Sequence, residues 1–214
     1  MNVPVEHFLT VWAVLAMNIA SPGPNVLNTM TTAMGSGRAA GMASAAGVAL
    51  GVGAWCLAMT LGMAALFDAV PWSRTALTIT AIGLLLWFAS RFLRNAWTGF
   101  HSGPATRLKG RAGIGLRASF LRSLAVNATN PKALTTWVLI LALFPVARAS
   151  RGDIAILGLG AAFIGFSLHA LYALAFSTGP ATRAYLRAAP AINAGVAVFF
   201  IGFAVKLTAG LLPG

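Results

Sequence analysis

The sequence predicts an all-α integral membrane protein with six transmembrane helices, arranged as two inverted three-helix repeats in which helices 1 and 4 are broken at proline motifs. Composition is the first reason. The chain is 58% hydrophobic and 8% charged, with a mean hydropathy of +0.83, whereas a soluble domain carries about 25% charged residues. A bilayer is the solvent that suits this balance. The second reason is that apolar runs of spanning length recur six times along the chain. The third is a repeated motif: Asn18 to Pro22 reads NIASP, and Asn127 to Pro131 reads NATNP.

The first run, about Phe8–Met34, exceeds the ~20 residues that a crossing needs. The segment MNVPVEHF before it has no Lys or Arg, and the hydrophobicity continues past any plausible cleavage site, so the run is expected to be retained. The second run, Ala39–Phe67, carries small residues at fourfold spacing, Gly37 with Gly41 and then Ala43, Gly47 and Gly51. That spacing predicts close helix packing. The lone Cys56 within it allows no disulfide and reads as a small packing residue. A third run, Trp72–Phe92, completes the first half. The fourth, Ala118–Val146, is again over-long and again holds a proline, Pro131; the fifth and sixth are Ile154–Thr178 and Ala191–Leu212. The whole chain, 1–214, forms one membrane domain, with repeat 1 at about 1–100, a cytoplasmic loop at about 93–117 and repeat 2 at about 117–214.

Basic residues set the direction. Arg91, Arg94, Arg107, Lys109, Arg111, Arg117 and Arg122 follow the third run without an acid among them, which predicts a cytoplasmic loop. Alternation then places Arg38, Arg183 and Arg187 inside, and Arg74, Arg148 and Arg151 outside beside Asp68 and Asp153. Both termini are expected to face outward. The net charge of +12 is thereby explained by topology and lipid headgroups, and no nucleic-acid partner is expected.

Each proline motif predicts a break with a chemical consequence. Pro22 deprives the Asn18 carbonyl of its helical donor, and Pro131 does the same to Asn127. Ser21 and Asn130 suit N-cap positions followed by proline at the first helical position. Each new half-helix would then present free N–H groups and a positive dipole end near the bilayer midplane. Pro22 and Pro131 lie 109 positions apart in a chain of 214 residues, and a three-span half reverses direction, as in an inverted repeat of broken helices. Two opposed ends would bind a carboxylate, while the Asn18 and Asn127 side chains would receive an ammonium or hydroxyl group. The expected binding residues are Asn18, Ser21, Pro22, Gly23, Pro24, Asn25, Asn127, Asn130, Pro131 and Lys132.

Lys132 is also a candidate for proton coupling, because a lysine deep in a span is costly and functional by default. His169 and Tyr172, three apart on one face of the fifth run, are weaker candidates, since such a pair is more often hydrogen-bonded core. Lys206, near the end of the last run, is expected to snorkel. The only acids, Glu6, Asp68 and Asp153, sit at or beyond span ends. A midplane site for a dication or a basic substrate would want a buried carboxylate, so a zwitterion or small carboxylate fits better. Three scattered histidines offer no metal cluster, Ser167 is not in a protease setting, and one cysteine excludes a thiol carrier. A passive channel stays open on these grounds.

SPGPN followed by GRAAGMASAAGVALG, NPKA at Asn130 to Ala133, and LYAL at Leu171 to Leu174 together resemble the LysE/RhtB family of amino acid exporters over essentially the whole chain. The resemblance implies a secondary exporter in the bacterial inner membrane that moves an amino acid or related metabolite against a proton or other ion gradient. It implies no enzyme activity and no cofactor. The partners expected are a small amino acid, a coupling ion, the lipid bilayer and, as an assembly, a homodimer. Many members carry Asp after the Pro-Gly-Pro, where this chain has Asn25; that removes a candidate cation ligand and disfavours a basic substrate.

Overall fold

A computed structural model describes residues 2–70, 72–102 and 109–211. Among these residues all regular structure is helical. The helices are α1 (Val5–Ala20), α2 (Pro24–Ala69), α3 (Ser73–Ser102), α4 (Leu116–Ala128), α5 (Pro131–Leu143), α6 (Arg151–Phe176) and α7 (Gly179–Ala209), with a 3₁₀ turn at Val146–Arg148. Four of them, α2, α3, α6 and α7, are long and apolar enough to cross a membrane. The exterior is apolar as well: Leu57, Leu61, Leu159, Phe163, Val198 and Val205 are all exposed. A lipid environment removes the penalty that water would impose on such a surface.

α2 is not one rod. Gly37 within it has φ 85° and ψ 176°, a conformation that only glycine adopts readily. The Thr29 and Ser44 hydroxyls on either side of Gly37 are 2.8 Å apart. A straight helix would hold residues 15 apart at ~22 Å, so the chain folds back at Gly37. Gly37 was expected to pack as part of the small-residue stripe; no neighbour lies within 4 Å of a Cβ built on it, and its role is the reversal. Gly37→Ala is therefore expected to cost ~1–3 kcal/mol through strain alone. Gly62→Ala, in helix and equally uncrowded, should be neutral or stabilising. Thermal unfolding midpoints in detergent compare the two.

The rest of the stripe does pack. A Cβ on Gly41 would lie 2.7 Å from Ala173 Cβ, and one on Gly47 would fall inside contact distance of Phe120 O. So the segment 38–69 lies against α4 on one side and α6 on the other, the two most extensive contacts that α2 makes. α3 packs instead on α7, where Phe88 and Phe92 meet Phe200 edge-on at 6.1 and 5.8 Å. Phe8, Trp137 and Leu157 centre a further buried cluster where α1, α5 and α6 meet.

Two boundaries differ from the sequence reading. α3 continues ten residues past Phe92 to Ser102, so Arg91 and Arg94 lie on a helix rather than in a loop. Likewise α7 begins at Gly179 and carries Arg183 and Arg187 as well as the internal Pro190. Arginine is a good helix former, so each helix extends beyond its apolar run. Arg107 lies outside the described residues. Of the expected loop at 93–117, residues 109–115 fold back over the segment 24–36. Arg111 N donates to Thr31 O at 2.8 Å, and Ser36 Oγ donates to Arg111 O at 2.6 Å. Burial there, with the charge of Arg122 adding to it, lowers the Arg111 pKa from its ordinary value.

Candidate functional site

Both breaks form, and they meet. α1 ends at Ala20, Ser21 to Gly23 are non-helical, and α2 starts at Pro24. α4 ends at Ala128, and α5 starts at Pro131 with Asn130 as its N-cap, the Asn130 side chain accepting from Lys132 N at 3.0 Å. Asn130 thus caps as expected, whereas Ser21 does not. A residue before proline is driven to extended backbone, and Ser21 has φ −76° and ψ 140°. With Gly23 also preceding a proline, the helix restarts only at the second one, Pro24. Ser21 serves α1 instead: its hydroxyl donates to Asn18 O at 2.7 Å.

The carbonyls left over at the end of α1 are satisfied by side chains from far along the sequence, as buried backbone groups must be. Lys132 Nζ donates to Asn18 O at 2.8 Å, to Ser21 O at 3.2 Å and to Ser21 Oγ at 2.6 Å. Tyr172 Oη donates to Ile19 O and Ala20 O, each at 3.4 Å, and Tyr185 Oη to Ala20 O at 3.3 Å. In the second break, Trp55 Nε1 donates to Asn127 O at 3.2 Å. A further bond joins the first motif to α5, from the Asn18 amide to the Thr136 hydroxyl. Lys132 is therefore engaged with the negative end of the α1 dipole, not left free to meet a substrate carboxylate. Its ammonium also lies 5.4 Å from the centre of the Phe92 ring, within cation–π range.

Beside this crossing is a cavity of about 50 Å³. Asn18, Gly23, Asn25, Asn127, Asn130, Lys132 and His169 line it, together with Leu15, Ile19, Val26, Val48, Val52, Ala133, Thr136 and Trp137. Four of the lining residues carry buried polar atoms with no protein partner: Asn18 Oδ1, Asn25 Oδ1, Asn127 Oδ1 and His169 Nε2. Asn18, Asn127 and His169 are 3%, 1% and 1% exposed, so water does not reach them from outside. His169 Nδ1 lies 2.8 Å from Gly165 O, which fixes the proton there in the neutral ring and leaves Nε2 as an acceptor. Four acceptors with no protein partner thus belong to residues that line one small space. Leaving each unpaired costs ~1–3 kcal/mol, and a group with several N–H bonds to give would relieve it.

A second chamber of about 290 Å³ adjoins the first, bounded by Pro22, Pro24, Pro131, Thr135 and the α3 residues Trp87, Phe88, Arg91, Phe92 and Asn95; Gly23, Asn130 and Lys132 line both. Of the expected binding residues, Pro22, Pro24 and Pro131 thus face this chamber, and Ser21 faces neither space. Tyr172 lines neither, its hydroxyl being turned to α1. The Tyr172 and His169 rings meet edge-on at 6.0 Å. The α3 residues and Trp137 were missed in the sequence, where only their apolar or basic character was visible. Among the described residues, no three His, Cys, Asp or Glu side chains gather as a metal-binding group.

The family model of the LysE type translocator matches residues 16–210. The threonine efflux protein of Escherichia coli K12 is 28% identical over 204 residues, covering 94% of this chain and 96% of its own. The leucine efflux protein of Enterobacter sp. strain 638 is 27% identical over 190 residues, 87% of each chain. The homoserine/homoserine lactone efflux protein of Salmonella typhimurium is 32% identical over 126 residues, 58% of this chain and 56% of its own. No solved structure matches. With the match running through both breaks and every long helix, the chain belongs to the LysE type translocator family.

Proposed function

We propose that the protein is a secondary active exporter of neutral amino acids in the bacterial inner membrane, with the crossing of the two breaks as its binding site. The observation that carries this reading is the cluster of four unpaired buried acceptors around the cavity. An α-ammonium group carries three N–H donors and suits such a cluster. The free N–H groups of Asn25 and Val26, ahead of the first helical bond from Leu27 N to Gly23 O at 2.9 Å, suit a carboxylate. Among the described residues no acidic side chain lines either space, which supports a neutral side chain over a basic one. The names of the threonine and leucine relatives support the same class.

Six crossings in two inverted repeats are the architecture we infer. At 13 residues each, α4 and α5 are about 20 Å long, too short to cross alone but long enough end to end. α1 and residues 24–36 form the matching pair. The contacts follow the same symmetry. The helix 38–69 packs on α6 and α3 packs on α7, which are the pairs that a two-fold axis between the repeats would relate. Lys132 and His169 line the cavity and are retained as the proton-coupling candidates.

The test is efflux from proteoliposomes preloaded with labelled amino acids, with and without a proton gradient. Loss of neutral amino acids that depends on the gradient is expected, with lysine and arginine retained. Preference for the basic pair would overturn the substrate class, and flux indifferent to any gradient would point to a channel.

A further inference from the structure

We propose that the chamber between the break loops and α3 is a second substrate subsite, which takes the carboxylate through Arg91, and that Lys132 is the wall between it and the acceptor-lined cavity. The inference rests on the reading of that cavity as an amino-acid site. It adds a residue and an element, α3, that the breaks do not supply.

The smaller cavity sets the problem. About 50 Å³ holds about three water molecules at ~15 Å³ each, and a free amino acid has more heavy atoms than that. The adjoining chamber is about 290 Å³, and the partition between the two is thin, because Gly23, Asn130 and Lys132 line both. Gly23 makes the partition possible. A Cβ there would lie 3.2 Å from both Cδ and Nζ of Lys132, so the lysine crosses over a position kept bare of side chain. A ligand with its ammonium on the Asn and His acceptors would extend past Lys132 into the chamber.

The chamber's charge says which end of the ligand it receives. Among the described residues two cations line it, Arg91 and Lys132, and no acid does. Lys132 is occupied by the α1 carbonyls. Arg91 stacks over Trp87, 5.1 Å from the ring centroid, which orients the guanidinium while leaving its N–H fork free for an anion. Asn95, one turn on, shares the same face. Arg91 lies eighteen residues into α3, ~27 Å along it, and lines the chamber together with Pro22, Pro131 and Lys132. Among the described residues of that wall no acid stands beside the guanidinium, so it lacks a charged partner there. A substrate carboxylate is that partner; an anionic lipid headgroup shares the chemistry.

Arg91→Gln, Arg91→Lys and Asn95→Leu, each checked for folding by size exclusion, are compared with wild type in proteoliposomes of neutral phosphatidylcholine and of phosphatidylcholine with phosphatidylglycerol. Arg91→Gln is expected to raise the KM for a neutral amino acid about tenfold or more, the size of one charge-assisted hydrogen bond, with Vmax within about twofold. Arg91→Lys should recover most of that, and Asn95→Leu should raise KM severalfold, in both lipids. An unchanged KM, a Vmax that falls in the same proportion, or an effect confined to the anionic lipid would overturn the proposal. Wild-type vesicles that move no amino acid would instead overturn the functional reading beneath it.

Discussion

Lys132→Met is expected to abolish export while the protein still inserts. The variant keeps the length and apolar stem of the side chain and removes only the ammonium. That leaves the Ser21 carbonyl without its donor and the Asn18 carbonyl with Ser21 alone. A buried acceptor so orphaned costs ~1–3 kcal/mol, and the two breaks lose the charged link that holds them together across the cavity. Efflux should fall ~100-fold, the equivalent of ~2.7 kcal/mol. The thermal midpoint should drop by several degrees, at ~2–4 °C per kcal/mol for a chain of this size. Wild-type efflux from a well-folded Lys132→Met protein would show that the link is dispensable.

Gly47→Val should act earlier, on assembly. Even a Cβ at Gly47 would press into Phe120 O, and Ser123 Cβ is 3.1 Å away. A backbone oxygen cannot swing aside as a side chain can, so α2 and α4 must separate. They carry the Ser44–Ser123 contact at 2.6 Å and the Asn28–Ser123 bond at 2.8 Å, and these would open too. The cost is ~3 kcal/mol or more, read as loss of the monodisperse peak in fluorescence-detected size exclusion. Gly53→Ala, with its nearest neighbour 4.0 Å away, should keep the peak. Equal behaviour of the two would mean that the stripe does not set the packing. Gly51 connects this packing to the site: a Cβ there would lie 2.5 Å from Asn127 Oδ1.

What the sequence disclosed was local. Proline chemistry predicted both breaks, the stranded Asn18 carbonyl and the Asn130 cap, because each depends on neighbours within four residues. It failed at Ser21 for want of one further step, since Gly23 precedes a proline just as Ser21 does. The partners of the stranded carbonyls were out of reach: Lys132 answers Asn18 over 114 positions and Tyr185 answers Ala20 over 165. Sequence spacing says nothing about such distances. The same holds for the chamber, whose α3 wall looked like the end of an apolar run. Gly37 misled for the opposite reason. It fits a small-residue spacing by position, and only its backbone angle reveals a reversal.

The most direct test is equilibrium binding of labelled threonine and leucine to the purified protein in nanodiscs, wild type against Asn127→Leu. Asn127 Oδ1 is one of the four unpaired acceptors, and leucine fills its volume without accepting a hydrogen bond. If the crossing is the site, wild type binds saturably and the variant binds at least ~10-fold more weakly, with its size-exclusion profile unchanged. Equal affinity in the two proteins would place the substrate somewhere other than where the breaks meet.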